Sequence, residues 1–235
     1  MNNAPAPQQG FSLLELTIVL VIVALLSSGL MFGLSAQRDA AANRDAQAQI
    51  DNAKEALLGF AISNGRLPCP ANPLLAGTAT GAGLENCSLT PAGHGVLPWA
   101  TLGLPETDPW GQRLTYFAST QFTLALTAGS LCSFTMESGV APNNSATANV
   151  KLTGASTSNI ASDLAAVIVS HGAQGVGGYT TNGTKITGAA GDEAENTDAD
   201  LTFISRTSAT DFNDLLIWIT PALLKSRLVA VGKLP

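Results

Sequence analysis

From Phe11 to Leu34 the chain is apolar or small at almost every position, and this run of 24 residues carries one charge, Glu15. As an α-helix it reaches about 36 Å at roughly 1.5 Å per residue, enough to cross a hydrocarbon layer of about 30 Å. The pattern then changes without a break. Gln37 to Ser63 contains no proline, and Ile50, Ala53, Leu57 and Phe60/Ala61 recur at helical spacing. Arg44, Asp51, Asn52, Lys54 and Glu55 fall on the opposite face. The spacing predicts one long helix, membrane-spanning over 11–36 and amphipathic over 37–64. Asn64-Gly65 and then Pro68 supply the stop.

Beyond the helix the punctuation is dense. Residues 65–111 are rich in Pro and Gly and read as irregular. Strand candidates follow at Arg113 to Ala118, Gln121 to Thr127, Leu131 to Met136, Ala165 to Ser170, Leu201 to Ser205 and Leu215 to Ile219. Residues 138–160 and 172–191 are Ser/Thr/Asn/Gly/Ala-rich and read as loops. Thr220 is placed to cap a last helix with Pro221 at its first position, and Gly232 ends it. The expected class is α+β: a long N-terminal helix packed on a small antiparallel sheet with long loops.

Composition narrows the function. Charged residues are 12% and apolar ones 46%, so the chain has the makings of a core. The net charge is −6 and no basic block occurs, which argues against a nucleic-acid partner. The three cysteines, Cys69, Cys87 and Cys132, contain no Cys-x-x-Cys, and the only histidines are His94 and His171. A zinc site is therefore not expected. In an exported chain Cys69 and Cys87, which bracket the structure-poor segment, are expected to pair and leave Cys132 free.

The N-terminus invites two readings. An ordinary cleaved secretory signal needs a basic start, a short apolar core and a small-residue site. Residues 1–10 hold no Lys or Arg, the apolar run is too long, and only Gly33 and Ser35 offer a weak site. Glu15 is the oddity, since a carboxylate in the apolar part of a spanning helix costs about 2.5–3.5 kcal/mol at the centre. It either snorkels to the headgroups or has a partner.

Gly10-Phe11-Ser12-Leu13-Leu14-Glu15-Leu16 resembles the processing and methylation motif of type IV prepilins and type II secretion pseudopilins. The resemblance implies cleavage after Gly10 by a prepilin peptidase and N-methylation of Phe11. It implies that Glu15 pairs with the new Phe11 amine of a neighbouring subunit during assembly. Asp108-Pro109-Trp110-Gly111 with Leu114 and Tyr116 is similar to the turn and strand of major pseudopilins. So is Ile168-Val169-Ser170-His171-Gly172 running into Gly175, Gly177, Gly178 and Asp198-Ala199-Asp200. The head is longer than that of a major pseudopilin, which points equally to a minor pilin or minor pseudopilin.

Two clusters invite chemistry. Asp192, Glu193, Glu195, Asp198 and Asp200 place five carboxylates within nine residues and no base among them. A solvated acidic loop accounts for that. The resemblance implies a calcium site in the same loop, with Asp192, Glu195, Asp198 and Asp200 as candidate ligands and Asp198 and Asp200 foremost. Ser170-His171 suggests a hydrolase, but neighbours on one strand point to opposite faces and no Gly-x-Ser-x-Gly occurs. Catalysis is not expected, and His171 is expected to be a turn histidine bonded to backbone.

The organisation expected is a leader at 1–10, a spanning assembly segment at 11–36, an amphipathic continuation at 37–64 and a periplasmic head at 65–235. The function expected is that of a structural subunit of a type IV pilus-like or type II secretion filament. Its partners are prepilin peptidase, other subunits and inner-membrane lipid, and its location a bacterial inner membrane crossed once, then a filament or the cell surface. The alternative is a membrane-anchored periplasmic binding module that never polymerises.

Overall fold

The computed structural model describes residues 10, 12–138 and 147–234, without the side chains of 28–36. The expected leader falls largely on 1–9, outside those residues. The chain divides into two compact units, residues 1–42 and residues 43–235. The structure is α+β. The first helix, α1, runs Leu13–Asn64.

In the N-terminal unit the large apolar side chains described from Leu13 to Leu26 are exposed. Leu13, Leu14, Ile18, Leu20, Val21, Leu25 and Leu26 are each at least half exposed. Among the described residues no helix is long and apolar enough to cross a membrane. The expected spanning segment, 11–36, takes in Phe11 and the side chains of 28–36, which lie outside the description.

In the second unit α1 has the predicted stripe. Ala46, Ile50, Ala53, Leu57, Leu58 and Ala61 are buried, whereas Arg44, Asp51, Asn52 and Glu55 are exposed. Gly65 ends the helix at φ 68°, its amide bonding the carbonyl of Ala61 at 2.7 Å. A side chain at Gly65 would collide with the backbone of Leu131.

Among the described residues nine strands follow: β1 His94–Val96, β2 Gln112–Arg113, β3 Thr115–Ala118, β4 Ala148–Lys151, β5 Asn159–Leu164, β6 Ala166–Ser170, β7 Tyr179–Thr180, β8 Thr202–Ile204 and β9 Leu215–Ile219. Short helices lie at Trp99–Leu102 (α2) and Asp192–Glu195 (α3), and α4 spans Pro221–Ala230. The main sheet is antiparallel in the order β1-β3-β6-β9. A three-stranded sheet, β5-β4-β8, pairs β4 with β8 in parallel, and β2 pairs with β7.

Strand β6, buried at all five residues, explains the layering. Side chains alternate along a strand. Ala166 and Ile168 face the cluster with Ile50, Leu57, Tyr116, Leu224 and Leu228, which is the layer under α1 and α4. Val167 and Val169 face the other cluster, with Val150, Leu164 and Phe203 of the three-stranded sheet. An apolar run covered on both faces needs no polar alternation.

Two expected strands are absent. Gln121 to Thr127 begins with a single 3-10 turn at Thr120–Phe122, and Leu131 to Met136 is turn and coil. Their apolar residues signal burial instead: Phe122 and Phe134 meet edge to face at 4.9 Å inside the core under α1. Conversely β4 and β5 lie in or beside the stretch expected to be loop. Their Ala, Asn, Lys and Ser content is weak in β-propensity, and pairing with β8 and the core holds them extended. The C-terminal plan holds: Thr220 Oγ1 accepts from the Leu223 amide at 3.2 Å and Pro221 opens α4.

Candidate functional site

The N-terminal unit opens on a capped helix. The Ser12 carbonyl accepts the Leu16 amide at 3.1 Å, and its Oγ accepts the Leu14 amide at 3.3 Å. Ser12 is therefore the N-cap of α1, and Glu15 is the acidic residue of its first turn. Ser-x-x-Glu is the sequence signature of a reciprocal helix cap. That pattern was available in the sequence, and it assigns Ser12 a part in fixing where the helix begins, two residues after Gly10.

In the second unit, Cys69 and Cys87 form a disulfide with 5.1 Å between Cα atoms, and Cys132 is free and half-buried. Beside the bridge, Glu85 accepts both terminal nitrogens of Arg66, at 2.7 and 2.8 Å, and the Cys69 amide at 3.0 Å. Burial pushes the Glu85 carboxyl up, but the Arg66 fork and the Cys69 amide outweigh it and hold it below its usual value.

The acidic segment separates into two groups. Asp192 leaves the set: its carboxylate pairs with Arg206 at 2.9 Å and accepts the Gly154 amide at 2.9 Å. Glu193 is buried and accepts the Asn213 amide at 3.0 Å. Glu195, Asp198 and Asp200 come together, each offering an oxygen within 4.8 Å of the others. Asp198 Oδ1 accepts the Asp200 amide at 3.1 Å, and Ala199 between them has φ 61°. Partial burial holds the Asp200 carboxyl above its usual value, against the Thr202 amide and with Asp198 adding. Glu195 and Asp200 also line a cavity of about 290 Å³ whose other walls include His94, Thr115 and Tyr179. Burial lowers the His94 imidazole, with Asp198 opposing.

Ser170 and His171 do diverge. Ser170 Oγ donates to the buried Asp108 carboxylate at 2.8 Å. His171 is not bonded to backbone as a turn histidine. Its Nε2 lies 2.8 Å from Thr115 Oγ1, and its Nδ1 is 3.5 Å from Asp214 Oδ1, with both the histidine and aspartate side chains fully buried. Gly172, at φ 60°, packs on Asn213, where any side chain would strike it.

Residues 5–31 match the family described as the prokaryotic N-terminal methylation motif. This chain carries the type IV pilin and pseudopilin signal. Comparison with curated proteins and with solved structures gave no match.

The pilin-type signal takes in Gly10, Phe11, Ser12 and Glu15 and stops within the apolar run, so it speaks for the N-terminal unit alone. It supports a pilin-like substrate of prepilin peptidase and a structural role. Of these four residues, Phe11 lies outside the described residues. Gly10 is exposed and Glu15 sits on the first turn behind the Ser12 cap. Thr115, Asp214 and Arg206 escaped sequence reasoning because their partners lie 56, 43 and 14 residues away, with no periodicity to link them.

Proposed function

We propose that this chain is a structural subunit of a type IV pilus-like or type II secretion filament, a minor pilin or pseudopilin. Prepilin peptidase cleaves it after Gly10, Phe11 is N-methylated, and the apolar helix holds it in the inner membrane with its head in the periplasm until assembly. The observation that carries this is the Gly10–Phe11 junction with Glu15 inside a matched methylation motif. The uncovered apolar side chains from Leu13 to Leu26 support it, since a helix apolar on all sides requires lipid or other helices around it. Among like subunits Glu15 meets the Phe11 amine of a neighbour. The two charges then offset each other's desolvation.

The head adds a second proposal: Glu195, Asp198 and Asp200 hold calcium. Their oxygens are close enough for one ion, and calcium accepts carboxylates from an irregular loop.

Mass spectrometry of the mature N-terminus tests the main reading. The expected terminus is methylated Phe11. A terminus near Gln37, or an intact leader in a strain with active prepilin peptidase, would refute it.

A further inference from the structure

Thr115, His171 and Asp214 come from three separate parts of the head, β3, the residue after β6 and the residue before β9, and meet with the imidazole between the other two. His171 Nδ1 and Asp214 Oδ1 have no hydrogen-bond partner among the described residues, and they face each other at 3.5 Å. In the tautomer that carries its hydrogen on Nδ1, toward the carboxylate, Nε2 is the acceptor for the Thr115 hydroxyl at 2.8 Å. Asp214 is itself fixed, its Oδ2 accepting Asn196 Nδ2 at 2.8 Å, while Asn196 Oδ1 accepts the Ile204 amide at 2.8 Å. Buried Glu193 also bears on His171 electrostatically. Gly178 packs on the ring, where a side chain would press against His171 Cδ2.

This is the order of groups in nucleophilic catalysis: hydroxyl, base, orienting carboxylate. The threonine end borders a cavity. Thr115 is half-buried and lines the cavity of about 290 Å³, whereas His171 and Asp214 are sealed behind it. A structural imidazole would be as well served by a hydroxyl facing the core.

We propose that Thr115 is an acylatable nucleophile, deprotonated by His171 with Asp214 as the positioning residue, and that the cavity takes small neutral or cationic esters. Thr115 Oγ1 bonds to the ester carbonyl carbon and its proton passes to His171 Nε2. The bond from that carbon to the alkoxide oxygen breaks, and the departing alcohol takes the proton back. Water repeats the sequence on the acyl-threonine, releasing acid and restoring the hydroxyl. In the calcium-free chain Glu195 and Asp200, which line the same cavity, repel anionic acyl groups. Tyr179 and Asn72 line the same cavity and are side-chain donors that the developing oxyanion could use.

The test is acetylation of the full chain in detergent micelles by p-nitrophenyl acetate, followed by peptide mapping. The expected result is a burst of nitrophenolate with acetyl on Thr115. His171→Gln should slow that burst about 10²-fold or more. Thr115→Val should abolish the adduct and Thr115→Ser should keep it, which separates chemistry from folding. Asp214→Asn should lower the maximal rate and leave the half-saturating ester concentration unchanged. Acetyl found only on lysines or the N-terminus, or equal labelling of Thr115 in His171→Gln, would overturn the proposal.

Discussion

Ser170 donates its hydroxyl to Asp108 Oδ2 at 2.8 Å, tying the end of β6 to a turn 62 residues earlier. The other oxygen of Asp108 accepts the amides of Trp110 and Gln112, each at 3.0 Å. One buried carboxylate thus shapes the Asp108-Pro109-Trp110-Gly111 turn and fastens it to the central strand. Ser170→Ala leaves Oδ2 without its donor and is expected to cost about 1–3 kcal/mol. Asp108→Ala removes the acceptor for all three donors and should cost more. Denaturant unfolding followed by near-UV circular dichroism checks both, and a Ser170→Ala cost below a few tenths of a kcal/mol would contradict the contact.

Glu15→Ala is expected to block or weaken incorporation into a filament and leave the head folded. Within the N-terminal unit the next basic residue, Arg38, lies about 34 Å along the helix at roughly 1.5 Å per residue, so the Phe11 amine is the cation within reach. Removing one member of a buried pair costs roughly 3–5 kcal/mol. Subunit counts in sheared filaments or membrane cross-links, wild type beside variant, are the measurement. Equal incorporation would sink the pairing mechanism.

The Cys69–Cys87 bridge closes a loop of little regular structure, and the double change Cys69→Ser/Cys87→Ser should cost about 3 kcal/mol by the chain-entropy account. Non-reducing peptide mapping should recover Cys69 joined to Cys87 and Cys132 as a free thiol. A Cys132-linked peptide would be incompatible with this structure.

Calcium should raise the Tm of the head following RT ln(1 + [Ca]/Kd). The pH behaviour of Asp200 sharpens the test. Its carboxyl is raised in the folded chain, chiefly by burial. A raised carboxyl favours the fold below its unfolded pKa, and that contribution is lost as pH climbs through the raised value. Without calcium, Asp200→Asn should therefore raise the Tm at neutral pH, because the ionised form is the one the fold disfavours. With calcium the order reverses: the wild type gains and the variant does not. Identical melts with calcium and with chelator would leave the loop as solvated acid.

What the sequence determined by itself was local. The stripe of Ile50, Ala53, Leu57 and Ala61 follows from helical periodicity, the stop from Gly65, the cap of α4 from Thr220-Pro221, and the processing signal from contiguous residues 10–15. Each is a relation between residues a few positions apart, which chain geometry alone enforces. The tertiary structure decided relations across long separations. It turned Phe122 and Phe134 into core anchors where strands were expected, because a buried aromatic needs a pocket and not an extended backbone. It drew Asp192 away from the carboxylates it accompanies in sequence, because Arg206 offered a nearer opposite charge. It also aimed His171 at Thr115 and Asp214, since pairing of β3 and β9 on either side of β6 brings the ends of three strands to one place.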